Sequence, residues 1–376
     1  MQKRLIIVDG WLLTEAGYGM ASHAARLVHA LAGSRLASRL MIAVPAGAEH
    51  FVPEGLSAFT LPDPFGVSPI VREAVWQNRL GGHVRRYYPE AVFLALSPFY
   101  SWHWPNRSVV VWHDLIPFQL KRYMGRFFYR RLLFKARLRR VHKTSFVVTD
   151  SCCTASALTR YQAFKPPMET IHLWTPSELA DERSSQSLEA VRMKYGLPPR
   201  YWLYVGGYDY RKNVEYLIEA YGAVLAVHKC PPLVLAGKIP TNLRKPVCDV
   251  HGAMAKIGLT VGQVCLPGFI DPADMAALYR SAELFIYPSL AEGFGLPPLE
   301  AMACGCPAIV ADATSLPEVV VDVGYRFSPH LSESLAALLS RAAQAPLPLN
   351  PGYDREYFSE KRGLGQYCDI LERVAS

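Results

Sequence analysis

The chain has 376 residues, of which 51% are apolar and 19% charged, and it carries a net charge of +8. That is the composition of a folded protein long enough for two domains of ordinary size, and it excludes a disordered or fibrous chain. No window supplies the ~20 consecutive apolar residues of a spanning helix, and the run Leu5-Ile6-Ile7-Val8 is only a strand long before Asp9 and Gly10 stop it, so no signal peptide is expected. The eight cysteines form no C-x-x-C pair, which fits buried thiols in a reducing, cytoplasmic setting rather than a metal site.

Taken in chain order, short apolar and β-branched runs predict strands at Leu5–Val8, Met41–Val44, Val92–Leu96, Val109–Trp112 and Phe146–Thr149. A second set follows at Trp202–Val205, Leu233–Ala236, Val264–Leu266, Leu284–Tyr287 and Ala308–Val310. Their hydrophobicity is continuous rather than alternating and helical patterns lie between them, as in parallel sheets buried on both faces. Two successive sets imply an α/β chain of two doubly wound, Rossmann-like domains, 1–176 and 177–356, joined through the polar stretch Thr175–Ser187. A last helix, about 357–376, is expected to pack back on the first domain. Such domains take ligands at the carboxyl ends of their strands, so the expected site is a central cleft between them.

In the first half, Gly17-Tyr18-Gly19 opens a helix but fails as a dinucleotide fingerprint, because the loop after Gly10 is too long and the third glycine is Ser22. Val109–Trp112 runs straight into His113-Asp114, which puts a histidine at a strand's carboxyl end, where it can donate to a sugar hydroxyl. Between Lys121 and Lys143 lie ten Lys or Arg residues and no acid, so the remaining chain sums to about −2. Aromatic and aliphatic residues such as Met124, Phe127, Phe128 and Leu132 interleave these cations at helical spacing. Two readings stay open: a basic helix resting on an anionic bilayer, or a core helix with a solvated cationic face. No nucleic-acid recognition motif accompanies the charge, so nucleic acid is not an expected partner.

In the second half, the first strand leads into Gly206-Gly207-Tyr208-Asp209-Tyr210-Arg211-Lys212-Asn213. Further on, the strand Leu284–Tyr287 passes through Glu292-Gly293-Phe294-Gly295-Leu296 into a helix opened by Pro297 and Pro298, whose missing N–H groups cost little there. The amides of Gly293–Leu296 and of the first helical turn form an anion site, and glycine lets a phosphate approach closely. Glu292 and Glu300 flank those amides. A sugar nucleotide needs this pairing of amides for its diphosphate and carboxylates for its hydroxyls.

The string E-G-F-G-L-P-x-x-E-A-M-A-x-G, with seven residues between Glu292 and Glu300, resembles the signature of glycosyltransferase family 4, and the resemblance runs from Tyr201 to about Pro329. It implies a GT-B fold and a retaining, mannosyltransferase-like activity that moves a hexosyl group from a nucleoside-diphosphate sugar to a saccharide or polyprenyl-linked acceptor, as in surface polysaccharide or glycolipid synthesis. By resemblance Glu292 lies against the donor sugar, Glu300 holds the ribose, Lys212 contacts the diphosphate and His113 meets the donor sugar near the reaction centre. Gly17 and Gly19 would lie beside the donor phosphates or acceptor, and Ser151 stands where relatives carry a serine facing the cleft. Relatives often place an arginine where this chain has Gly207, which leaves Arg211 as the candidate second cation.

The pattern favours GDP-mannose, with a UDP-sugar as the alternative. No Asp-x-Asp occurs, so metal-independent transfer without a cofactor is expected. The expected location is cytoplasmic, with residues 121–143 able to rest on the inner face of the plasma membrane. Two rivals are a GT-B sugar-nucleotide epimerase or hydrolase, which would consume donor without an acceptor, and a non-catalytic sugar-nucleotide-binding protein.

Overall fold

Every apolar run singled out in the sequence forms a strand. The computed structural model describes residues 4–15, 19–64, 69–99, 101–120, 128–161, 166–176, 179, 187–240 and 247–376. Its residues fall into two units: Met1–Leu115, Arg126–Leu173 and Phe358–Ser376 form one, and Ile116–Gly125 with Trp174–Tyr357 form the other.

The first unit holds a seven-stranded sheet in the order β3-β2-β1-β4-β5-β6-β7, and every ladder is parallel. Its strands are β1 (Ile6–Asp9), β2 (Leu40–Pro45), β3 (Ser57–Leu61), β4 (Val92–Ala95), β5 (Arg107–Trp112), β6 (Phe146–Thr149) and β7 (Met168–Thr170). Ile7, Phe93 and Val110 from the central strands pack with Trp76, Leu80 and Val84 of the helix Pro69–Tyr87. The C-terminal helix Glu360–Ala375 belongs to this unit. It buries Tyr367, Ile370 and Leu371, while Asp369 and Glu372 accept from Arg35 at 2.6 and 3.0 Å.

The second unit holds a six-stranded parallel sheet in the order β10-β9-β8-β11-β12-β13. Its strands are β8 (Trp202–Val205), β9 (Leu233–Ala236), β10 (Val264–Gly268), β11 (Leu284–Tyr287), β12 (Ala308–Ala311) and β13 (Arg326–Phe327). In each sheet the strand order reverses once, between β1 and β4 and between β8 and β11. Those are the switch points where open α/β sheets bind ligands.

The three strands not foreseen, β3, β7 and β13, are all sheet edges. Each has one neighbour and is partly exposed, so it lacks the continuous apolar run that marks a central strand. The cysteine expectation needs correction: all eight thiols are free, but only Cys306 and Cys368 are buried, and Cys152 is exposed.

The basic stretch forms the helix Phe128–Arg140, while 121–127 lie outside the described residues. Its cations divide by face. Arg137 is buried and pairs with Glu73 at 2.7 Å, and Arg140 stacks on Trp102 and donates to the Ser101 carbonyl. Leu132, Lys135 and Arg139 face outward. No helix among the described residues is long and apolar enough to cross a membrane.

At the carboxyl ends of β8 and β9 two glycines touch. Gly237 has φ of +152°, and a Cβ there would stand 1.9 Å from the Gly206 carbonyl oxygen. Gly237→Ala is therefore expected to destabilise the fold by ~3 kcal/mol through strain and overpacking, read as a lower urea midpoint at unchanged slope.

Candidate active site

The switch point of the second sheet brings together the two segments that the sequence marked separately. β8 ends in the loop carrying Arg211 and Lys212, and β11 beside it ends in the loop carrying Glu292. Leu290 N donates to the Arg211 carbonyl at 2.8 Å, which ties the loops together through main chain.

Glu292 sits between both cations. Lys212 Nζ donates to its Oε1 at 2.7 Å, Arg211 Nη1 to its Oε2 at 2.5 Å, and Ser289 Oγ to Oε1 at 2.5 Å. Lys212 also donates to the Tyr287 hydroxyl and lies 4.8 Å above that ring. All three charged side chains are 10 to 14% exposed. Burial alone would push the Glu292 carboxyl up, but Lys212 and Arg211 outweigh it and hold its pKa at about 2. Burial also pulls the Lys212 pKa below the usual lysine range, against the pull of Glu292. Asp209 Oδ1 also stands 3.5 Å from Arg211 Nε, so two cations meet two carboxylates here, and the cluster holds both cations in fixed positions in a low-dielectric setting.

The glycine loop is pinned from behind. Thr314, in a left-handed conformation at φ of 48°, accepts from Glu292 N at 2.9 Å, and buried Ser315 donates to the carbonyls of Glu292 and Phe294 at 2.9 and 2.7 Å. Gly295 takes φ of +127° where a Cβ would meet Leu316 at 2.8 Å, so only glycine fits there. From it starts the helix Leu296–Ala303, with Pro297 and Pro298 in its first turn and Glu300 one turn on, accepting from Tyr279 at 3.2 Å. The Phe294 side chain is buried, so only its main chain can meet a ligand. Sequence reading passed over Ser289, Tyr287 and Thr314 as contributors to the site. Thr314 carries no local signal, since it lies 22 residues from its partner Glu292.

The first unit places His113 at the end of β5, as foreseen, but corrects its chemistry. Nδ1 faces the Asp150 carboxylate at 2.6 Å and Nε2 faces the Leu96 carbonyl at 2.7 Å. A carbonyl only accepts, so Nε2 carries a proton, and Asp150 takes the other. Burial lowers the His113 pKa, but the Asp150 charge and the two hydrogen bonds outweigh it and the net shift is upward. Both ring nitrogens are thus engaged within the unit, and the expected donation to a sugar hydroxyl is not on offer in this arrangement. Ser151 also departs from expectation: it is fully buried, and its hydroxyl accepts from Thr154 N at 3.1 Å as the cap of the helix Cys152–Tyr161.

Gly17 lies outside the described residues, whereas Gly19, at φ of +81°, precedes the helix Met20–Ala32 with open space around it. Gly207 has no steric need to be glycine: a Cβ there would meet Asp209 at an ordinary 3.6 Å. One acid was read in the sequence only as the end of a strand. Asp9, at the switch point of the first sheet, is buried, accepts from Trp76 Nε1 at 2.8 Å and Trp11 N at 3.1 Å, and burial raises its pKa to about 6.

With this geometry in hand, the chain can be set beside known proteins. Residues 190–358 match the family described as glycosyl transferases group 1. The serotype-specific mannosyltransferase WbdA of Escherichia coli is 32% identical over 243 residues, which is 63% of this chain and 29% of that protein. The O-antigen chain mannosyltransferase B of Escherichia coli is 32% identical over 256 residues, 65% of this chain and 64% of the relative. The match thus spans less than two thirds of either relative's length. Among solved structures, HepE of Anabaena in complex with UDP superposes with a TM-score of 0.70 at 16% identity, covering 98% of this chain and all of that one. This likeness shows the fold, two parallel-sheet α/β domains of GT-B type.

The ion cluster makes a prediction about acid stability. The Glu292 pKa is about 2 folded against 4.5 free, so its contribution, about 3 kcal/mol, is full above pH 4.5 and is lost as pH falls toward 2. Glu292→Gln should flatten that limb of the stability curve, measured by urea unfolding across the range. An unchanged acid limb would show that the carboxylate is not held by its two cations.

Proposed function

We propose that this chain is a group 1 glycosyl transferase that moves a hexosyl group from a nucleoside-diphosphate sugar to a saccharide or lipid-linked saccharide in surface polysaccharide synthesis. One observation carries the reading: Lys212 and Arg211 converge on Glu292 at the switch point of the second sheet, beside the glycine loop that opens a helix. Both relatives named as mannosyltransferases support mannose as the sugar moved.

In this reading the donor diphosphate lies on the amides of Gly293–Leu296 and draws on Lys212 and Arg211, which stabilise the charge that develops as the glycosidic bond breaks. Glu292 holds the two cations in place and presents its remaining acceptor capacity to the sugar. Glu300, one turn into the helix, takes the ribose hydroxyls. The acceptor hydroxyl attacks from the face that the diphosphate leaves, so configuration is retained, and the departing phosphate oxygen takes the proton. Every step is served by protein groups, which supports transfer without a metal. The His113–Asp150 pair in the first unit is a buried contact that fixes the imidazole at the strand end.

Glu292→Ala should lower turnover at least ~100-fold while nucleoside-diphosphate binding stays within a few-fold, because the loop amides remain. Thermal-shift screening against GDP-, UDP- and dTDP-sugars should single out GDP-mannose, and linkage analysis of the product should return the donor's anomer. An inverted product would remove the retaining mechanism.

The outward face of the helix Phe128–Arg140 supports seating on an anionic bilayer, since Leu132 is 56% exposed among Lys135, Arg139, His142 and Lys143, and Trp102 is also exposed. Vesicles containing anionic lipid should sediment the protein at low salt and release it at high salt. Protein left in solution at low salt would count against the membrane contact.

A further inference from the structure

The second unit carries a polar cavity of about 420 Å³ apart from the glycine loop, at the carboxyl ends of its outer strands β12 and β13. Its chemistry comes from Asp312, Arg326, Ser328 and His330, with apolar surface from Val323 and Pro329. Asp312 is more than half exposed and meets Arg326 Nη1 only at 3.3 Å. Arg326 Nε is buried and has no hydrogen-bond partner among the described residues, which is a costly state for a guanidinium nitrogen. Val323 is 73% exposed at the rim. None of these residues has a part in the reaction described above.

We propose that this cavity is a second saccharide site, holding a stretch of glycan apart from the residues that bind the donor. The choice of saccharide rests on the transfer reading; the choice of a neutral polyol rests on the cavity itself. An acceptor-only carboxylate, a donor-only guanidinium, an imidazole and a hydroxyl around apolar patches match the alternating donors, acceptors and C–H faces of a sugar ring. The carboxylate of Asp312 offsets the charge of Arg326 and repels an anion such as phosphate. The volume accommodates one or two hexose rings.

The cavity also adjoins the glycine loop through covalent structure. Thr314, two residues past Asp312, holds Glu292 N, and Asn213 beside Lys212 donates to the carbonyl of Pro329 on the cavity wall at 3.3 Å. A glycan bound here stiffens the segments that brace both cations. The site gives a polymer-making enzyme a hold on its growing product independent of the donor.

The test titrates mannotriose into the full chain and follows the imidazole resonance of His330, identified by its loss in His330→Ala. That resonance should shift saturably, and Asp312→Ala should raise the half-saturation concentration at least fivefold while GDP and UDP affinities stay within twofold. A His330 signal that does not move, equal affinity in Asp312→Ala, or inorganic phosphate shifting it at lower concentration than mannotriose would each overturn the proposal. Transfer from a nucleotide sugar is assayed in parallel: its presence with a silent His330 signal sinks this site alone, and its absence with every donor sinks the transferase reading instead.

Discussion

One carboxylate held between two cations organises the second unit's ligand-binding end. Glu292 joins loops that leave adjacent strands, and it is 80 and 81 residues from the lysine and arginine it binds. Removing one partner of a buried pair costs about 3–5 kcal/mol, so the three side chains stand or fall together. The surrounding structure reads as support for this arrangement. Ser289 donates to Glu292 and Tyr287 accepts from Lys212, Thr314 and Ser315 hold the loop's main chain, and Gly295 turns the chain into a helix where no other residue fits. The cations keep their geometry before any substrate arrives, which is what electrostatic stabilisation of a leaving group requires.

The first unit also fixes a titratable side chain from two sides. There the His113 imidazole is the centre, and a carboxylate and a carbonyl hold it. The residue type and its place at a strand end suggested a hydrogen-bond donor for a sugar. The neighbours that consume both ring protons come from the ends of β4 and β6, and no local pattern around His113 announces them. Ser151 teaches the same lesson at smaller scale, since the hydroxyl that looked available caps its own helix. In both cases residue identity was informative and availability was not.

Sequence alone determined the α/β class, the nine central strands and the edge strand β10, the glycine loop with its two glutamates, and the lysine after β8. Central parallel strands are apolar on both faces, and a tight loop that turns into a helix takes glycine and prolines at set places, so both leave local traces. The edge strands β3, β7 and β13 left none, because one exposed face breaks the run. Tertiary structure decided which charges meet. Nothing in the chain's order said that Arg211 and Lys212 would both close on Glu292, that Thr314 would brace it, or that Arg137 would turn inward to Glu73 while Arg139 stayed in solvent. Ion pairs and hydrogen bonds across long sequence separations follow from sheet order and loop path. The identity of a residue sets what it can bond, and only the fold sets what stands within reach.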